Sequence, residues 1–160
     1  MKDTVLVVRG EVHWAKIVGS ARPYTGNPKY DKGPYWSVDI TPNEKSRALI
    51  EAAGISSKLR EPKEGDARKD TFLTLRVLEN RADNSKNSPP KVVDIEGKAW
   101  GDDLIGNGSV CDIMIKVKDY GSGSEKGTYL QSVRVLSLVP YEGGEFAPIS
   151  EDDEFFAAKG

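Results

Sequence analysis

The chain has 160 residues, 38% hydrophobic and 30% charged, which suits one soluble domain with an ordinary core. No apolar run approaches the roughly 20 residues that a membrane-crossing helix needs. The single cysteine, Cys111, excludes an internal disulfide and fits a reducing cytoplasm, and one histidine with one cysteine cannot build a Cys/His zinc site. The formal net charge of −2 hides an asymmetry: residues 142–160 hold six acids and one base, leaving 22 bases and 19 acids in residues 1–141. A body of +3 thus carries a tail of −5, a pattern that suits a polyanion partner, a tail that imitates one, or a merely solvated C-terminus.

In chain order, Met1-Lys2-Asp3-Thr4-Val5-Leu6-Val7-Val8 reads as a strand, since no small-residue cleavage site follows its apolar stretch. Residues 11–18 alternate as a strand with Val12, Trp14, Lys16 and Val18 on one face. Residues 20–34 are rich in Gly and Pro and form a loop dense in Tyr, Lys and Arg. Residues 35–40 form the next strand, with Trp36, Val38 and Ile40 on one side. A helix is expected to start at Thr41 as N-cap, with Pro42 at the first helical position and Glu44 completing a capping box, and to stop at Gly54.

Residues 56–69 are a charged loop without periodicity. Thr71 to Glu79 is a strand with Leu73, Leu75 and Val77 inward and Phe72, Thr74, Arg76 and Leu78 outward. Residues 80–90 form a hairpin-like excursion and residues 91–95 a short strand. Gly106-Asn107-Gly108 is a turn. Val110 to Asp119 alternates cleanly, with Cys111, Ile113, Ile115 and Val117 inward and Asp112, Met114, Lys116 and Lys118 outward. Thr128 to Val139 is apolar on both sides and suits a central or covered strand that Pro140 ends. About six short strands and one helix, without repeats, point to an all-β barrel. Among small barrels, the five-stranded OB-fold binds oligonucleotides and oligosaccharides.

No constellation of acid, base and nucleophile is present, so the chain reads as a non-enzyme needing no cofactor or metal. His13 is mid-strand with no neighbouring nucleophile, and the adjacent acids are ordinary solvated groups. Sequence-tolerant binding of single strands needs a basic groove for phosphates and aromatic faces for bases. Both interleave in Trp14, Lys16, Arg22, Tyr24, Lys29, Tyr30, Lys32, Tyr35 and Trp36, and again in Phe72, Arg76, Arg81, Lys86, Lys116, Lys118 and Tyr120. Trp36 aligns with Val38 and Ile40 and suits the core, Trp100 suits a cover for the barrel end, and Trp14 suits either role because Lys16 shares its face. Tyr24 and Tyr30 lie on a loop that cannot easily bury them, which favours a binding role, whereas Lys116 and Lys118 also fit a plain wet strand face. The reading from another class is a protein-interaction or virion accessory barrel whose tail docks a partner.

Arg22-Pro23-Tyr24, Gly26-Asn27-Pro28-Lys29-Tyr30 and Gly33-Pro34-Tyr35-Trp36-Ser37-Val38-Asp39-Ile40-Thr41-Pro42-Asn43 resemble the single-stranded DNA-binding proteins of tailed bacteriophages. Val92-Val93-Asp94 before Gly97-Lys98, Ile105-Gly106-Asn107-Gly108-Ser109, and Gly127 to Val135 before an acidic tail continue the resemblance across nearly the whole chain. The resemblance implies an OB-fold with one short helix after the second strand over residues 1–141, and an acidic tail over residues 142–160. It also implies cooperative or homodimeric coating of single-stranded DNA during phage replication, recombination and repair in the host cytoplasm. In such proteins the tail recruits replication or recombination proteins and competes with DNA for the groove. Glu151, Asp152, Asp153, Glu154, Phe155 and Phe156 fit that pattern, but Ala157-Ala158-Lys159-Gly160 follows the Phe pair, where such tails finish on the aromatic.

Overall fold

The computed structural model describes residues 2–121 and 123–141. The acidic tail read from the sequence, with its Phe155-Phe156 pair, lies outside the described residues. Among the described residues there are six strands: β1 (Lys2–Lys16), β2 (Tyr35–Pro42), β3 (Leu73–Leu78), β4 (Lys91–Val93), β5 (Val110–Asp119) and β6 (Gly127–Ser137). One α-helix lies among the same residues, α1 (Glu44–Ala52), after the second strand. Antiparallel pairing runs β3–β2–β1–β5–β6, and a parallel pair between Arg76 of β3 and Tyr129 of β6 closes the ring. Five strands therefore form an OB-type barrel, with β4 added in parallel to the outside edge of β6.

The barrel closes because β1 serves two partners. Its residues Lys2 to Glu11 pair with β5, while Gly10 onward pairs with β2. The corner is Gly10, opposite Pro42, where any Cβ would collide with the Thr41 carbonyl. The inward side of the alternation read in β5 holds, since Cys111, Ile113, Ile115 and Val117 are buried, whereas Asp112, read as outward, is also buried because Arg9 and Arg134 close over its carboxylate. The inward residues meet Leu6, Val8 and Val12 of β1, Val38 and Ile40 of β2, Leu73 and Leu75 of β3, and Leu130, Val133 and Val135 of β6. Ile50 of α1 joins that core, and Trp100 packs against it at the edge. Trp36 is a core residue at 3% exposure, and its indole N–H donates to the Gly19 carbonyl at 3.0 Å.

Two expectations need correction. The helix is capped by Asn43, not Thr41: Asn43 Oδ1 accepts from the Ser46 N–H at 2.9 Å. Thr41 and Pro42 are still paired with Glu11 and Gly10 in the sheet, so the chain cannot turn helical until Asn43. The helix ends as expected near Gly54 (φ +76°), and Lys126 Nζ donates to the Ala53 carbonyl at 2.9 Å. The second correction concerns residues 11–18. They do not form a separate alternating strand: β1 runs through from Lys2, and its register with β2 breaks between His13 and Lys16. Trp14 sits in that irregularity at φ +52°, so Val12, Trp14, Lys16 and Val18 do not share a face.

Candidate nucleic-acid interface

The outward residues of β2 and β3 are Tyr35, Ser37 and Asp39 facing Leu78, Arg76 and Thr74. This outer face divides into a closed half and an open half. In the closed half, Arg68 of the loop before β3 folds back onto the sheet. Its guanidinium bonds Asp39 and Asp66 and lies 3.6 Å from the Phe72 ring centre. Thr74 Oγ1 donates to the other oxygen of Asp39 at 2.8 Å, and His13 is buried beside Asp39 in the β1–β2 register. Phe72, expected to be a stacking platform, is only 6% exposed, because Arg68 covers the ring. Burial holds His13 below its usual pKa, and Arg68 acts in the same direction, so the imidazole is neutral.

The open half carries cations over aromatic rings. Tyr35 is 9% exposed, with Arg76 at 4.7 Å and Lys16 at 5.8 Å from its ring centre. Tyr35 thus supports the two cations and is no bare stacking face as expected. Across the closing seam Arg76 pairs with Tyr129, and Tyr129 pairs with Lys116 on β5. The Tyr129 ring is 38% exposed, with Lys118 Nζ 5.4 Å from its centre. Its hydroxyl bonds that of Tyr120 at 2.8 Å, and this bond helps to push the Tyr129 pKa up to about 12, keeping the ring uncharged. Lys116 is shared with Asp3 at 3.4 Å. The barrel therefore brings Lys16, Tyr35, Arg76, Tyr129, Lys116 and Lys118 into one path crossing five strands.

The loop residues stand at one end of this path. Arg22 forms a backbone bridge with Tyr35, which anchors the loop's start to β2. Arg22 also gives N–H groups to the Val18 and Ser20 carbonyls, neutral acceptors that leave its charge in place. Asn27 caps a short 3-10 turn, Pro28–Tyr30. Tyr30 is 60% exposed with Lys29 at 5.8 Å, Lys32 is exposed, and Tyr24 folds back on Gly26. Trp14 is 50% exposed and lines a cleft of about 620 Å³ with Lys16, Arg22, Asn107, Val139 and Tyr141.

The structure adds Tyr129, Tyr141 and Asn107 to the residues singled out from the sequence. Tyr129 was obscured because residues 128–139 read as apolar on both sides, and the structure corrects this: Leu130, Val133 and Val135 are buried while Tyr129, Gln131 and Arg134 stand exposed on the other face. Cys111 is buried, and burial pushes its thiol up to about 12, which leaves it inert at neutral pH. Among the described residues no helix is long and apolar enough to cross a membrane.

Comparison with solved structures finds the same architecture over almost the whole chain. Gp2.5, a single-stranded DNA-binding protein encoded by bacteriophage T7, superposes with a TM-score of 0.51 at 18% identity, over 90% of this chain and 92% of that one. The single-stranded DNA-binding protein of bacteriophage Enc34, in complex with single-stranded DNA, gives 0.55 at 11% identity over 88% and 89%. The chain has the fold of phage single-stranded DNA-binding proteins. The C-terminally truncated form of the Enc34 protein gives 0.53 at 12% identity over 87% and 88%. No protein-family model and no curated protein matches the chain by sequence. The likeness to the phage single-stranded DNA-binding proteins is thus one of fold.

Proposed function

We propose that this chain binds single-stranded DNA without reading its sequence. The observation that carries the proposal is the path of alternating cations and rings from Lys16 through Tyr35, Arg76 and Tyr129 to Lys118. Phosphates seat on Lys16, Arg76, Lys116 and Lys118, and bases lie against Tyr129 and the loop rings Tyr24 and Tyr30. Each stacked base contributes about 1–3 kcal/mol. A neighbour of the same fold that is described with single-stranded DNA supports the reading. The protein acts by holding DNA and not by catalysis: it coats and protects strands exposed in phage replication, recombination and repair inside the host cell. Its acidic tail, Glu151 to Phe156, docks replication or recombination proteins and competes with DNA for the basic path.

The test is fluorescence-anisotropy titration of a labelled oligo(dT) at several salt concentrations, with duplex DNA and oligo(U) in parallel. Four seated phosphates give a slope of log affinity against log salt of about −3, at ~0.7 for each. Absence of binding at low salt, or binding indifferent to salt, would overturn the proposal. Equal affinity for oligo(U) would widen the ligand to RNA.

A further inference from the structure

Trp14 occupies a backbone conformation that bulky residues avoid, at φ +52°. Such conformations persist only where the surroundings over-determine them, and they gather at functional sites. Here the surroundings are identifiable. The Trp14 N–H donates to Asn107 Oδ1 at 2.8 Å. The turn bearing Asn107 is itself fastened to β1, by the Gly108 N–H to the Val12 carbonyl at 2.9 Å and the Val12 N–H to the Ser109 carbonyl at 2.8 Å. The strained placement brings the ring no burial: Trp14 is 50% exposed, against 3% for Trp36. It turns the indole out of the strand alternation and onto the wall of a cleft of about 620 Å³.

That cleft has a consistent chemistry. Its apolar lining is Leu104, Ile105, Val139 and Pro140, Tyr141 is a second aromatic beside Trp14, and Lys16 and Arg22 supply positive charge. The volume falls within the range of small-ligand sites, about 300–1,000 Å³. Aromatic and apolar walls suit a base, and the two cations suit the phosphate next to it. Lys16 also stands over Tyr35, so the cleft opens at the end of the outer-face path.

We infer that this cleft is a discrete nucleotide subsite. It takes one base out of the strand's own stack and lays it on Trp14, with the adjoining phosphate between Lys16 and Arg22. Asn107 is the positioning residue that holds Trp14 in place. The inference rests on the single-stranded DNA reading and deepens it.

The experiment compares wild type, Trp14→Gly, Asn107→Ala and the double variant, by oligo(dT) affinity, intrinsic fluorescence and thermal melting. Glycine takes positive φ freely, so Trp14→Gly is expected to melt at the wild-type temperature or above it. Its affinity should fall by about 5- to 150-fold, the equivalent of one stacked base, with an unchanged salt slope because no charge is lost. Oligo(dT) should quench wild-type fluorescence strongly, Asn107→Ala less, and Trp14→Gly least. Because Asn107 acts through Trp14, the double variant should bind no worse than Trp14→Gly. Wild-type affinity in Trp14→Gly would overturn the subsite while leaving the outer-face path standing. So would loss of cooperative melting in that variant with undiminished quenching in Asn107→Ala, since Trp14 would then be structural. Failure of the wild type to bind any oligonucleotide at low salt would overturn the DNA reading itself.

Discussion

At the scale of single residues, the proposed function gives Arg76 and Tyr129 different parts on the open face, which substitutions separate. Arg76 is an exposed cation lying 4.7 Å from the centre of the buried Tyr35 ring, which holds it by a cation–π contact at the surface where a phosphate would meet it. Arg76→Ala should weaken oligo(dT) binding and make the salt slope shallower by about 0.7, the signature of one lost phosphate contact. Tyr129 offers a ring and not a charge. Tyr129→Ala should cost about 1–3 kcal/mol of binding with the slope unchanged, whereas Tyr129→Phe keeps the face and loses only the Tyr120 hydroxyl bond. Near-wild-type affinity of Tyr129→Phe beside weak binding of Tyr129→Ala, in the same anisotropy titration, identifies stacking as the contribution. If both variants bind like wild type, Tyr129 lies outside the contact.

At the scale of elements, the closed half of the outer face ties β1, β2 and the loop before β3 together through His13, Asp39, Arg68 and Asp66. His13 has its folded pKa below the usual 6.5, chiefly from burial, and Nδ1 has no hydrogen-bond partner. The unfolded chain therefore binds this proton more readily than the folded one. The stability that neutral His13 leaves intact is complete above about pH 6.5. It is lost as pH falls from there toward the folded value, and levels off below it. Melting temperature should therefore decline between pH 7 and 5 in the wild type and decline less in His13→Gln. The helix makes a separate element-scale prediction: Asn43→Ala should cost about 1 kcal/mol, read in a urea titration, because Ser46 loses its cap. The elements that were legible in the sequence are those set by local alternation, such as Cys111 to Val117 and the run from Trp36 to Ile40. What was not legible depends on partners far along the chain. The Trp14 bulge answers to Asn107, the cover over Phe72 comes from an aperiodic loop, and the late helix start follows from Thr41 pairing with Glu11. The basic and aromatic residues were legible as a set. Their division into an open path and a closed half was not, because it depends on the β3–β6 seam joining residues 76 and 129.

At the scale of the whole molecule, the proposed competition between tail and DNA turns on the opposed charges of body and tail. Residues 1–141 carry +3, and the remaining residues bring the chain to −2. On the proposed competition, tethering gives the tail a high effective concentration, so even weak attraction to Lys16, Arg76 and Lys118 would oppose DNA. A chain ending at Tyr141 should therefore bind oligo(dT) more tightly at low salt, on the order of tenfold or ~1.4 kcal/mol. The advantage should shrink as salt rises, because at about 1 M the screening length falls to ~3 Å. Thermal melting of the two forms should agree, which separates competition from a change in folding. Replacing Glu151, Asp152, Asp153 and Glu154 by their amides in the full chain should reproduce much of the gain, since the competing property is charge. If both changes leave low-salt affinity where it was, the tail does not reach the basic path, and its acids act on partners alone.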